Sequence, residues 1–374
     1  MKNSVLSLLF FSAMVASAQQ TGPTPANEAA TTIALAGAPG EVNQASGQSG
    51  TTTTTAPADA KPAEAKKKAP PPSDEDVKRP PIDASMVGYI ENAIVGSQVR
   101  VRFDAAFNDE FPDRAEFIYA KCGCYRSAPP PYYDPNAPGP GPGIPEDINF
   151  QTLEFMGEWA PVSRLSMFLQ FPVRWLQPEG VIASPDPTQA FPNSAGLSDL
   201  KLGVKFAMLE KRRAYLSAQF KTYFPTGDAR QGLGTNHYSV EPAILYYGRL
   251  SERFELEGEI GGWIPINGSA GAIPATNTDF AGNIFFYGIG PSYRVIDGEK
   301  FKLSPVVEFV GWNVTSGQQT GTPTDASGIN ILNLKLGARM TFKDKNSIYV
   351  GYGMPLTSED WYDDIVRVEY RHTF

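Results

Sequence analysis

The chain closes on Val366-Arg-Val-Glu-Tyr-Arg-His-Thr-Phe374. Drawn out as a strand, this stretch sends Val366, Val368, Tyr370, His372 and Phe374 to one face and Arg367, Glu369, Arg371 and Thr373 to the other. A side-chain period of two marks a strand rather than a helix. One face wants an apolar medium and the other wants water or opposite charge. Where that pattern repeats along a chain, the fold is all-β.

It repeats upstream from Gly96 onward. Val99, Val101, Phe103 and Phe107 alternate with Arg100, Arg102 and Asp104, and Leu165, Met167, Leu169, Phe171 and Val173 with Ser166, Gln170 and Arg174. Leu200, Leu202, Val204 and Phe206 alternate with Lys201 and Lys205, and Leu332, Leu334 and Leu336 with Asn333, Lys335 and Arg339. Each segment runs ~10 residues, the length a tilted strand needs to cross a bilayer, whereas strands of soluble sheets run ~5–6. Tight links at 161–163, 210–213, 249–253, 296–300 and 343–346 alternate with long loops near 177–196, 225–238, 265–279, 314–328 and 357–363. Short turns at one end and long loops at the other predict an up-and-down transmembrane β-barrel. With both ends of the barrel on the turn side, the strand count is even. Strands near 97–107, 149–159, 164–176, 198–209, 214–224, 238–248, 253–264, 281–293, 301–312, 330–342, 347–356 and 364–374 make twelve. Promoting 86–95 and 114–122 would make fourteen. The twelve-strand reading leaves 108–148 as one long external excursion.

The polar register then faces the lumen. It holds Arg100, Arg102, Arg174, Lys201, Lys205, Lys221, Lys335, Arg339, Arg367 and Arg371 against Glu241, Glu255, Glu257, Glu259, Glu308 and Glu369. Facing lipid, each charge would cost about 2–4 kcal/mol near midplane, so the register has little freedom to slip. Such an interior either conducts or is filled by its own ion pairs. Glu255, Glu257 and Glu259 form an acidic row that asks for cations. Trp159, Trp175, Trp263 and Trp312 stand near strand ends and read as interfacial girdles.

The other end of the chain has a different character. Lys2, the apolar run Val5 to Val15 and Ala16-Ser17-Ala18 read as a cleavable export signal over residues 1–18. Residues 19–84 are rich in Ala, Pro, Thr and Lys, with Thr51 to Thr55 and Lys66 to Lys68 as homopolymer runs. That composition predicts a disordered periplasmic linker, followed by the barrel domain over 85–374. The net charge of −8, with no basic stripe, argues against a nucleic-acid partner. Cys122 and Cys124 are a candidate disulfide in an export context; no second ligand pair exists to make C-G-C a metal site, and nothing calls for a cofactor. The two histidines, His237 and His372, fall at opposite ends of the predicted barrel. With no G-x-S-x-G, H-E-x-x-H or phosphate loop beside them, no enzyme is expected.

Two blocks carry a resemblance. Ala195-Gly-Leu-Ser-Asp-Leu-Lys-Leu-Gly-Val-Lys205 is followed by Thr222-Tyr-Phe-Pro-Thr-Gly-Asp228, then by Gly232-Leu-Gly234 and Glu241-Pro-Ala-Ile-Leu245. Over roughly 150–374 the chain resembles the outer-membrane transporter family named for a part in the meta-pathway of phenol degradation. The resemblance implies a barrel and uptake of small apolar or aromatic compounds; the linker and the C-G-C excursion lie outside its pattern. The terminal Phe374 on an alternating strand likewise resembles the segment that barrel-assembly machinery reads. The expected partners are therefore that machinery, outer-membrane lipid and lipopolysaccharide, and a small-molecule solute. The alternative is a structural or adhesive barrel with a filled lumen.

Overall fold

Twelve antiparallel strands follow one another around a closed ring, joined in a computed structural model that describes residues 79–109, 121–182, 191–266, 280–318, 326–343 and 345–374. In chain order the strands are β1 (Gln98–Asp109), β2 (Asp147–Val162), β3 (Leu165–Glu179), β4 (Ser194–Leu197), β5 (Leu200–Lys211), β6 (Ala214–Phe224), β7 (Tyr238–Arg249), β8 (Phe254–Ile266), β9 (Ile284–Tyr293), β10 (Ile296–Asp297), β11 (Phe301–Val314), β12 (Asn330–Phe342), β13 (Asn346–Pro355) and β14 (Asp364–Thr373). Two of these do not span. β4 adds four residues against β3, and β10 is a two-residue ladder against β11. The ring closes where β14 meets β1, in register from Gln98 opposite Thr373 to Phe107 opposite Asp364. Each of the twelve spanning strands is paired on both sides, which a bilayer requires because lipid offers nothing to hydrogen-bond.

Alternation is visible in burial along each stave. On β14, Ile365, Arg367, Glu369, Arg371 and Thr373 are buried, while Val366, Tyr370 and Phe374 are exposed. The apolar face therefore points outward and the charged face inward, the reverse of a soluble protein. This is the arrangement of a membrane-spanning barrel.

The fourteen-strand alternative fails at its first added strand. Residues 86–95 pair with no neighbour; they run through the lumen instead. Of the second, only Lys121 and Cys122 are described, and neither is in a strand. Residues 1–18 and 19–78, read as export signal and linker, lie outside the described residues. Residues 79–84, placed with the linker by composition, pack on the barrel. Arg79 donates to the Ser163 carbonyl and meets Glu210 at 3.3 Å, and a 3-10 turn at Ile82–Ala84 leads into the lumen. The polypeptide enters beside the short turns, reaches Tyr89 to Glu91, and returns to the same end, where the Phe374 amide bonds the Ser97 carbonyl at 3.1 Å.

At the other end, the described part of the excursion begins at Lys121 and is tied back on itself. Gly139 bonds the Lys121 carbonyl, and the Arg126 guanidinium holds the carbonyls of Ala137 and Gly139 at 2.6 and 2.9 Å. Cys122 and Cys124 sit as a disulfide pair. The 357–363 loop turns Trp361 and Tyr362 inward to pack with Phe150, Phe191 and Ile365.

Candidate lumen site

All sixteen charged residues placed on the polar register lie inside the barrel, and all but the half-buried Lys201 are buried. They sort by stave. Arg339, Arg367, Arg371, Arg100 and Arg102 come from β12, β14 and β1, and form a basic wall. Glu255, Glu257 and Glu259 from β8, with Glu308 from β11, form an acidic wall. Around a ring of twelve spanning strands β8 lies six places from β1, while β11 adjoins β12, so the two walls face each other across the lumen on one side and meet at the β11–β12 pair on the other.

The basic wall carries its own counter-charge. Glu369 meets Arg339 at 2.8 Å, Arg102 and Arg371 at 3.1 Å and Arg100 at 3.6 Å. Arg367 grips Asp104 through two bonds of 2.6 and 2.7 Å. Three of these links, Arg100 and Arg102 to Glu369 and Asp104 to Arg367, cross the seam between the first and last strands. Next along the ring, Glu154 serves Lys201 at 3.0 Å, Glu158 serves Lys205 at 3.2 Å, and Glu241 on β7 serves Lys221 at 2.8 Å.

The acidic wall is satisfied differently. Only Glu255 meets cations, Arg294 at 2.9 Å and Arg249 at 3.3 Å. Glu257, Glu259 and Glu308 have no ion-pair partner among the described residues; they accept hydrogen bonds from backbone amides of residues 86–91. Of the row expected to need cations, Glu255 has them, and Glu257 and Glu259 are met by peptide amides instead. Buried carboxylates require donors of some kind, and successive amides turned toward one anion supply them.

The segment from Ser85 to Gly96 is therefore a plug, the functional element that alternation did not reveal. Its ingoing arm packs Met86, Val87 and Ile90 on Val306 and Val310. The returning arm packs Ala93, Ile94 and Val95 on Tyr215, Leu245 and Tyr247. The Ser217 hydroxyl donates to the Ala93 carbonyl at 2.7 Å, and the Asn92 side-chain amide ties the arms together through the Ile82 carbonyl at 3.0 Å. A signal did exist. Between linker and first strand lies an apolar stretch, Met86-Val-Gly-Tyr-Ile90 and Ala93-Ile-Val95, without the period of a half-lipid, half-water strand.

Above the plug lies a cavity of about 220 Å³. Its floor is Tyr89 and Glu91, and its sides carry Arg102, Arg174, Lys201 and Glu154. Phe150, Phe286, Trp312 and Tyr362 line it toward the long loops. The Tyr89 hydroxyl has no hydrogen-bond partner among the described residues. Trp159 and Trp175 are exposed on the outer face, as girdle residues are. Trp263 and Trp312 correct that reading: Trp263 is buried beside His237, and Trp312 stacks on Trp361 at 4.4 Å, because both fall on the inward register. Burial lowers the pKa of His237, against the pull of the Thr235 carbonyl 2.8 Å from Nδ1. His372 lies at the turn end, bonded to Asn346 at 2.8 Å.

A family model described as "Putative MetA-pathway of phenol degradation" matches residues 162–363. Among solved structures, the chain is similar to the COG4313 outer membrane channel from Pseudomonas putida F1, at 17% identity and a TM-score of 0.46, with 77% of this chain and 99% of that chain covered. It is similar to the NanC porin at 5% identity and a TM-score of 0.41, covering 75% and 100%. It is also similar to LpxR from Salmonella typhimurium, at 10% identity and a TM-score of 0.41, covering 74% and 100%. No curated protein sequence matches the chain.

Proposed function

The chain belongs to the family described by the MetA pathway of phenol degradation, and from that premise and the geometry of the lumen we propose a conduit that passes small solutes, one-ring aromatic compounds among them, across the outer membrane. The observation that carries the reading is the cavity above the plug. Its volume falls below the ~300–1,000 Å³ of pockets for drug-sized ligands, which suits a single ring. Aromatic walls offer stacking, and the Tyr89 hydroxyl offers one unused polar handle. The role is passage rather than catalysis, since the histidines stand at opposite ends of the barrel.

The direct test is uptake of dilute phenol and toluene by cells with and without the chain. Expression should raise both rates. Tyr89→Phe should slow phenol by roughly threefold to tenfold, the worth of one hydrogen bond, and leave toluene unchanged. Equal uptake with and without the chain would refute the conduit. One observation favours the filled-lumen alternative, the plug itself, and that reading expects no uptake difference at all.

The remaining partners follow from the barrel. The outward apolar face meets lipid, with lipopolysaccharide around the long loops. Phe374, exposed at the end of the last stave, is the residue the assembly machinery reads. Phe374→Asp should cut the heat-modifiable, assembled form severalfold while leaving export intact; unchanged outer-membrane levels would remove that role.

A further inference from the structure

The plug's ingoing arm is held through its backbone on two sides. Six consecutive amides are taken up by three carboxylates. Glu257 accepts from Met86 and Val87 at 2.7 and 3.3 Å, and Glu259 accepts from Glu91 at 3.0 Å. Glu308 accepts from Gly88, Tyr89 and Ile90 at 2.9, 2.9 and 2.8 Å. Four consecutive carbonyls are taken up by three guanidiniums. Arg339 reaches Met86 and Val87 at 3.0 and 2.6 Å, Arg367 reaches Gly88 at 2.7 Å, and Arg371 reaches Ser85 at 3.3 Å. These six side chains come from β8, β11, β12 and β14 and share no local sequence motif.

Three of the segment's side chains are read more loosely. Met86, Val87 and Ile90 pack with Val306, Val310 and Tyr349. Three positions are stricter: Arg100 pairs with the Glu91 carboxylate at 3.0 Å, Arg367 lies over the Tyr89 ring at 4.2 Å, and a Cβ at Gly88 would stand 2.2 Å from the ring of Tyr349, which is fully buried and bonded to Glu308 at 2.9 Å. Three amides on one carboxylate bend the chain at Gly88 to Ile90, and the glycine lets that bend approach the wall.

We infer that this wall is a binding site for a peptide backbone, able to take a bent peptide of about seven residues with a small residue at its turn, and that Ser85–Glu91 is its resident ligand. Vacant, the wall presents three carboxylates without cations beside three guanidiniums that Glu369 and Asp104 hold in place, a pattern that matches the donors and acceptors of a peptide. Occupied, it shuts the lumen. The shutting rests on the conduit reading; the binding does not.

The test uses the full chain carrying Gly88→Val. This keeps all six wall side chains and drives a branched group into Tyr349. The probe is a synthetic peptide with the sequence of residues 84–92, dye-labelled for fluorescence anisotropy and unlabelled for single-channel recording. The wild type should not bind it. The variant should bind it, conduct severalfold more than wild type, and fall back when the peptide is added. A second peptide, N-methylated at the positions of Gly88, Tyr89 and Ile90, lacks the donors for Glu308 and should bind at least tenfold more weakly. Equal binding of the two peptides would overturn the proposal, because packing alone would then hold the plug. Failure of the unmethylated peptide to bind would overturn it too. Gly88→Ala, a smaller intrusion at the same place, should repeat the ordering with a smaller rise and covers the case in which the valine variant does not assemble. Peptide binding without conductance would leave the site standing and sink the conduit; conductance without peptide binding would do the reverse.

Discussion

Glu369 and Glu308 are both fully buried in the same lumen, yet they belong to different parts of the machine. Glu369 on β14 sits among Arg102, Arg339 and Arg371, within 3.1 Å of each, and one of those links crosses the seam that closes the ring. Glu308 on β11 has no ion-pair partner among the described residues. It receives three amides of the plug and the Tyr349 hydroxyl. One carboxylate holds stave to stave; the other holds the contents to the wall. Lumen charge is therefore not one population. The basic wall balances itself, whereas the acidic wall depends on a segment that precedes the first strand.

The sharpest way to break the comparison is Glu369→Leu. Removing the shared carboxylate leaves three buried guanidiniums facing one another, and a broken buried pair costs about 3–5 kcal/mol. The urea midpoint of the refolded barrel should fall accordingly. A loss below about 1 kcal/mol would show that the seam does not rely on this network. Glu308→Gln should invert the balance. It removes a charge that amides stabilise, worth about 1.5–3 kcal/mol, but the loss falls on the plug. Conductance should rise severalfold while the global midpoint moves much less than for Glu369→Leu; a midpoint loss as large as that of Glu369→Leu would erase the distinction. The smallest effect is expected from truncation. Deleting 19–78 should leave midpoint and heat-modifiable migration unchanged, since that stretch has no apolar period to bury. Extending the deletion through Ala84 removes the Arg79 anchor and the turn at Ile82–Ala84, and should lower the midpoint by about 1 kcal/mol. Identical midpoints would mean that the plug starts at Ser85 in energetic terms as well.

The staves were legible because the membrane leaves so few alternatives. A residue on β14 or β8 faces either lipid or lumen, and the cost of a charge in lipid makes Arg367, Glu369 and Arg371, or Glu255, Glu257 and Glu259, fall on one side together. Predicted and observed strands differ by at most three residues at either end; the largest gaps are at the turn end of β2 and the loop ends of β3 and β9, where hydrogen bonding decides the boundary. The girdle assignment of Trp263 and Trp312 failed for a related reason. Nearness to a strand end locates a residue along the membrane normal but not on a face, and their register already placed them with the inward residues.

From the sequence alone came the barrel, its twelve staves, the inward register of sixteen charges and the chemical oddity of the first eighty residues. These follow from local rules: a period of two, turn residues, and the price of charge in hydrocarbon. Tertiary structure alone decided which charges pair with one another and which wait for something else. Glu257, Glu259 and Glu308 look like any other lumen carboxylates until Met86 to Glu91 is seen lying against them, because a peptide amide is present at every residue and leaves no mark in a sequence.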